Sequence, residues 1–220
     1  MSRKLPELRP DDTYLVSLCR SSRARCFFAD DDYLFFLNAL ADASKIFRLH
    51  CHAYAMLPNE IKLILSNPDA EARVAVLREV TQRYDAYVSR RYQTGDGDWT
   101  VKLQVLEQAD SAGDCLLNGM RYVEMAPVRT GFAQHPADYE WSSYRVHAYG
   151  EDSRILLPHE TWRALHRNPD ERRFIYRTLF ESELTAAELA RIELPTEPAL
   201  QVRWPTEKTK PLLAPTLVIA

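Results

Sequence analysis

What this sequence lacks narrows its function before any motif is read. Its four cysteines, at 19, 26, 51 and 115, form no CxxC pair and no zinc-ribbon spacing. A chain of 220 residues buries enough core to need no disulfide staples, so reduced thiols in a cytoplasmic protein are expected. Neither sign of charge dominates. A net charge of −3 gives no global electrostatic footprint for nucleic acid, and any such binding has to come from local basic patches. No apolar run approaches a membrane span, and the opening MSRKLPELRPDD has no apolar h-region, so neither a membrane partner nor a leader is expected. The P-loop, GxGxxG and the Ser/His/Asp order are missing as well, and so is any internal repeat. What remains, 46% apolar and 27% charged, is an ordinary globular composition.

The elements follow from periodicity. TYLVSLC (13–19) reads as a strand, rich in β-branched and aromatic residues. After the basic loop RSSRARC, the acidic triplet Asp30 to Asp32 caps a helix with Leu34, Leu37, Leu40 and Ala41 at helical spacing. RLHCHAYAM (48–56) and IKLILS (61–66) flank the turn dipeptide Pro58-Asn59 and form a β-hairpin. An amphipathic helix runs from about Pro68 to Tyr92, with Ala70, Val74, Leu77, Thr81, Tyr84 and Val88 along one side. GDGDW is a loop, VKLQVLE (101–107) a strand, and Ser111 to Asp114 caps a helix that Pro127 closes. The order β-α-β-β-α-β predicts an α+β fold of the ferredoxin-like split type, with helices on one face of an antiparallel sheet, plus an added helix and a helical C-terminal segment. Residues 10–150 would form the main domain, 151–194 a helical extension, and 195–220, with five prolines, an irregular tail, either extended against the domain or disordered.

The hairpin poses the main chemical question. Alternation places Glu60 and Lys62 side by side on one strand face, with Ile61, Leu63 and Leu65 on the other. Two readings stand open: a fixed ammonium able to neutralise a phosphate, or a solvated surface pair contributing under ~1 kcal/mol. His50 and His52 form a His-x-His on the neighbouring strand. A tight two-residue turn would pair Leu57 with Glu60 and Ala55 with Lys62 and turn both histidines away. A looser turn would bring them together as a relocated metal site. Histidines 135, 147, 159 and 166 read as surface or packing residues, and Trp99 and Trp141 as core or edge residues.

The order of elements, with HAYAMLPNEIKLIL, RYVEMAPVRTGF and HPADYEWSSYRVH, resembles the single-tyrosine HUH transposases, and among them the REP-associated tyrosine transposases, which act on single-stranded hairpin DNA. The resemblance covers about residues 10 to 150, and NPDERRFIYR extends it weakly to about 180. It implies that Tyr122 in YVEMAPVRTG is the nucleophile that attacks a phosphate and forms a 5′-phosphotyrosine. Helical spacing places Tyr122 on a stripe with Cys115, Asn118, Gly119 and Ala126, from which it would project rather than pack. The family pattern M-P-N-H-x-H, whose two histidines hold a divalent metal, here carries Glu60 and Lys62. Ala126 stands where that subgroup carries Asn. The family's Trp-x-Gly-Arg-Phe has become Trp99-Thr-Val-Lys102-Leu, and its strand-one pattern reads Tyr14 to Arg20. Glu60 alone could ligate Mg²⁺ or Mn²⁺, because an ammonium repels the ion.

DNA contact would fall to Arg20, Arg23 and Arg25 in the first loop, Arg83 and Arg90 on the long helix, Lys102, and Arg121 and Arg129 flanking the tyrosine segment. The expectation is a transposase-like protein binding single-stranded or hairpin DNA, with weak or lost nicking. No cofactor is expected, or Mg or Mn if cleavage is retained. The alternatives are an active metal-dependent transposase using Tyr122, and a protein-interaction module without DNA binding. A homodimer or a protein partner through the C-terminal tail stays open.

Overall fold

The computed structural model describes residues 13–20, 24–67, 70–93, 99–106, 114–193 and 200–204. Arg23, Ser111, most of GDGDW and most of the Pro-rich tail lie outside the described residues.

The sheet is antiparallel throughout, in the order β2-β3-β1-β4-β5. Its strands are β1 (Thr13–Arg20), β2 (His50–Leu57), β3 (Glu60–Ser66), β4 (Trp99–Leu106) and β5 (Leu200–Trp204). The first four, with helices α1 (Asp30–Phe47) and α2 (Ala70–Tyr92) between them, make the split β-α-β-β-α-β arrangement. Two details differ from the sequence reading. β4 begins at Trp99, whose ring is fully buried and whose Nε1 donates to Asp85 at 2.9 Å. Residues 200–204, in the tail read as irregular and either extended against the domain or disordered, are extended and form a regular strand, pairing with β4 from Leu103↔Leu200 to Trp99↔Trp204.

Helices α1 and α2 pack on one face over Tyr14, Val16, Leu18, Leu63, Leu65 and Val101. The acidic cap of α1 is one buried carboxylate. Asp32 accepts from the backbone N–H of Phe28 and Ala29 and from the hydroxyls of Tyr87 and Tyr92, tying the start of α1 to the end of α2.

The other face is not left open, as helices on a single face would require. Helix α3 (Asp114–Glu124) and the helices after it form a second core over Leu15, Ala53, Ala55, Leu57 and Ile64. Gly119 packs closely on the sheet: a Cβ there would lie 2.9 Å from Leu106 Cδ1, so that side chain would have to shift. Gly119 therefore faces the sheet and lets the helix come close. Pro127 does not simply end this helix. It interrupts the hydrogen-bond ladder, and the chain continues as the short α4 (Ala126–Arg129). After a 3-10 turn at Pro136–Asp138 come α5 (Tyr144–Tyr149), α6 (Glu160–Ala164), α7 (Pro169–Thr178) and α8 (Ala186–Glu193). Asn168 starts α7 by accepting from Asp170 N–H, with Pro169 at the first helical position.

The outer edge of β2 is covered. Met56 N–H donates to the Trp141 carbonyl, Ser143 N–H to Tyr54, and Leu157 N–H to Cys51, so little of that edge is left to pair with another chain.

Candidate nucleic-acid interface

Pro58-Asn59 makes the tight turn, with Leu57 opposite Glu60 and Ala55 opposite Lys62. Because alternate residues share a face, the register aligns one row across the whole sheet: Ala55, Lys62, Ser17, Lys102 and Gln201. This row lies on the face that α3 covers, toward the end where Tyr122 stands.

Lys62 is not a solvated surface residue. Only 8% of it is exposed, and its Nζ donates to Glu60 Oε1 at 2.8 Å. The same Nζ lies 5.2 Å from the centroid of the Tyr122 ring, and the Arg129 guanidinium carbon lies 4.4 Å from that centroid. Arg129 also donates to the Tyr122 carbonyl in the last turn of α3, where carbonyls lack helical partners. Tyr122 is therefore half-buried and held between two cations rather than projecting freely. Ala126 is 2% exposed and brings no polar atom beyond its backbone.

This donor set does not suit a divalent ion. Glu60 offers one carboxylate, already engaged by an ammonium that would repel the metal, and Ala126 offers no ligand side chain. Among the described residues no group of three or more His, Cys, Asp or Glu side chains is placed to hold one. The two strand histidines are employed otherwise. The tight turn alone would turn them away, but a bulge between Cys51 and Ala53 changes the parity, and His50 pairs with Ser66 on the Lys62 face. His52 Nε2 meets Ser66 Oγ and its Nδ1 meets the Leu157 carbonyl, both at 2.8 Å. Burial pushes its imidazole down to about 4, so it is neutral and fully hydrogen-bonded.

The basic residues divide sharply. Lys102 is exposed on the Lys62 row, and Arg129 caps Tyr122. Arg20 points to the other face, where it is buried, bonds Asp85 at 2.6 Å and covers the Trp99 ring. Arg121 is 7% exposed and donates to Asn118 Oδ1 and the Ser182 carbonyl, bracing α3 against the following helices. Arg83 pairs with Asp42 between α2 and α1, and Arg90 is exposed on α2, both across the sheet from Tyr122. Arg25 is exposed in the first loop. Arg20 and Arg121 are thus structural, and the sequence shows too little to separate a buried arginine from a free one.

One polar cluster escaped the sequence reading. Glu124, wholly buried, accepts from Ser143 Oγ at 2.5 Å, from His147 Nδ1 at 2.8 Å and from the Tyr176 hydroxyl at 2.7 Å. Its trace was present: Glu124 stands four residues after Met120, on the apolar stripe of Leu116, Met120 and Val123. A carboxylate on such a stripe needs buried donors.

The fold is that of an α+β protein with an antiparallel split sheet. No protein-family model matches the chain, and no curated protein matches it. Among solved structures it is similar to the REP-associated tyrosine transposase bound to a REP hairpin. The TM-score is 0.55 at 13% identity, over 72% of this chain and 93% of that one. At that identity the likeness speaks for the fold. No described helix is long and apolar enough to cross a membrane.

Proposed function

We propose that this chain is a transposase-like DNA-binding protein that takes single-stranded or hairpin DNA along the Lys62–Ser17–Lys102 row and has weak or lost nicking activity. The observation that carries this reading is the Lys62 ammonium, buried and fixed by Glu60 beside Tyr122. The family resemblance implies a divalent metal at that point, and a fixed ammonium supplies the same sign of charge to a phosphate without open coordination positions. Lys102 and Arg129 add two cations on the same side of the sheet, and Ser17 adds a hydroxyl between the lysines. The solved neighbour's DNA hairpin supports hairpin DNA as the ligand class.

The test is incubation with a labelled single-stranded hairpin library, with and without Mn²⁺, run on native and denaturing gels. Retention on the native gel that weakens with salt, and no band surviving denaturant, is expected. A Mn²⁺-dependent covalent band that Tyr122→Phe abolishes would favour the second reading, an active enzyme, for which the partial exposure of Tyr122 is the supporting observation. Absence of any binding at low salt would leave a protein-interaction module.

A further inference from the structure

Some arginines of the molecule pair with acids. Arg83 pairs with Asp42, Arg91 with Asp31, Arg145 with Glu151 and Arg173 with Asp170. Arg177 combines the lack of such a pair with two aromatic neighbours. Among the described residues it has no carboxylate partner, and its guanidinium lies between two aromatic rings, 5.5 Å from the Tyr149 centroid and 5.9 Å from that of Phe174. Those rings belong to different helices, α5 and α7, and both face solvent: Tyr149 is 48% exposed and Phe174 56%.

The arrangement is held rigidly. Arg177 Nη1 donates to the Ala148 carbonyl at 2.6 Å. The Tyr149 ring packs edge-on against buried Tyr144, with centroids 6.0 Å apart. Gly150, in the left-handed region at φ 79°, turns the chain so tightly that Arg173 lies over its Cα, where a Cβ would meet Nη1 at 2.7 Å. Two half-exposed rings and a guanidinium without an acid partner match a nucleotide, which has one flat π surface and one negative phosphate. An acidic peptide would use the charge but leave both rings unmatched.

We propose that Tyr149, Phe174 and Arg177 form a second DNA contact, at which an unpaired base stacks on the aromatic rings and Arg177 takes the adjoining phosphate. This rests on the DNA-binding reading above and adds a site of its own, on helices that come after the sheet.

The experiment uses the full chain and hairpin oligonucleotides, blunt or with unpaired 5′ or 3′ extensions carrying 2-aminopurine, read by anisotropy and fluorescence. The expected result is that Phe174→Ala and Tyr149→Ala weaken binding to an extended hairpin about tenfold, abolish 2-aminopurine quenching, and leave blunt-hairpin affinity unchanged. Phe174→Trp should keep both signals. Phe174 is 56% exposed, so the melting temperature of Phe174→Ala should not move, and Tyr149→Phe, which keeps the packing on Tyr144, controls for the fold; circular dichroism checks both. If Phe174→Ala binds every extended hairpin like the wild type while Lys62→Met binds all of them weakly, the platform is overturned and the DNA-binding reading stands. Equal losses on blunt and extended hairpins would also overturn it. If the wild type holds no hairpin at low salt, the DNA-binding reading fails and the platform falls with it.

Discussion

Lys62 and Tyr122 meet across the gap between sheet and helix, the ammonium nitrogen 5.2 Å from the ring centroid, with Glu60 holding the lysine from the side. The contact joins the centre of β3 to the last turns of α3. It places one fixed positive charge against the residue that the family resemblance identifies as a nucleophile.

If that charge receives phosphate, Lys62→Met should keep the packing of the stem and lose the contact. The slope of log K against log salt should fall by about 0.7 for one lost phosphate on a single strand. Lys102→Ala should lower the slope by a similar amount with no change in melting temperature, because Lys102 is exposed. An unchanged slope in both variants would remove the row from the DNA path.

Arg20 should behave in the opposite way. Arg20→Met leaves the Asp85 carboxylate buried without its 2.6 Å ion pair, and the expected loss of stability is about 3 kcal/mol or more. Chemical denaturation measures it. Hairpin affinity of the protein that remains folded should stay at the wild-type value, and a selective loss of affinity without loss of stability would return Arg20 to the interface.

The same contrast shows what the sequence could convey. Hydrophobic alternation and turn chemistry made β1 to β4, the hairpin and α1 to α3 legible, because those patterns are local. Burial of a charge is not local. Arg20 and Arg129 look alike in sequence, yet one faces Asp85 beneath α2 and the other lies over Tyr122. The solvated-pair reading of Glu60 and Lys62 fails for the same reason, since α3 arrives from fifty residues away to cover the lysine. A bulge at Cys51/Ala53 likewise decides the facing of His50, which turn parity left open, and no residue type there announces it.

Acid should destabilise the fold through His52. Its imidazole is pushed down to about 4 by burial, against 6.5 in the unfolded chain, so the unfolded state takes up the proton first as pH falls. The stabilisation is fully present above pH 6.5 and is lost between there and about pH 4, a span worth about 3 kcal/mol. His159, which burial also pushes down, acts in the same direction. The slope of stability against pH should flatten over this range in His52→Gln. A slope equal to that of the wild type would assign the acid sensitivity elsewhere.

Introducing imidazoles tests the site from the other side. Glu60→His combined with Lys62→His places two ring nitrogens on one strand face, the spacing a divalent ion needs. Mn²⁺ should then raise the melting temperature of the double variant by several degrees and leave the wild type unmoved. Equal shifts in both proteins would mean that the ion binds elsewhere.

Glu124 has a consequence for how the molecule is made. Its three donors, Ser143, His147 and Tyr176, lie 19, 23 and 52 residues further along the chain. As synthesis proceeds from the N-terminus, the tyrosine helix emerges with an ionisable group on its inward stripe and nothing yet to receive it. Docking at that stage would bury an unanswered charge, a cost of several kcal/mol. Strands β1 to β4 with α1 and α2 can assemble early, but the set of donors that receives Glu124 is complete only once Tyr176 has been added. A nascent chain that stops short of Tyr176 should therefore hold α3 against the sheet less firmly than the finished one.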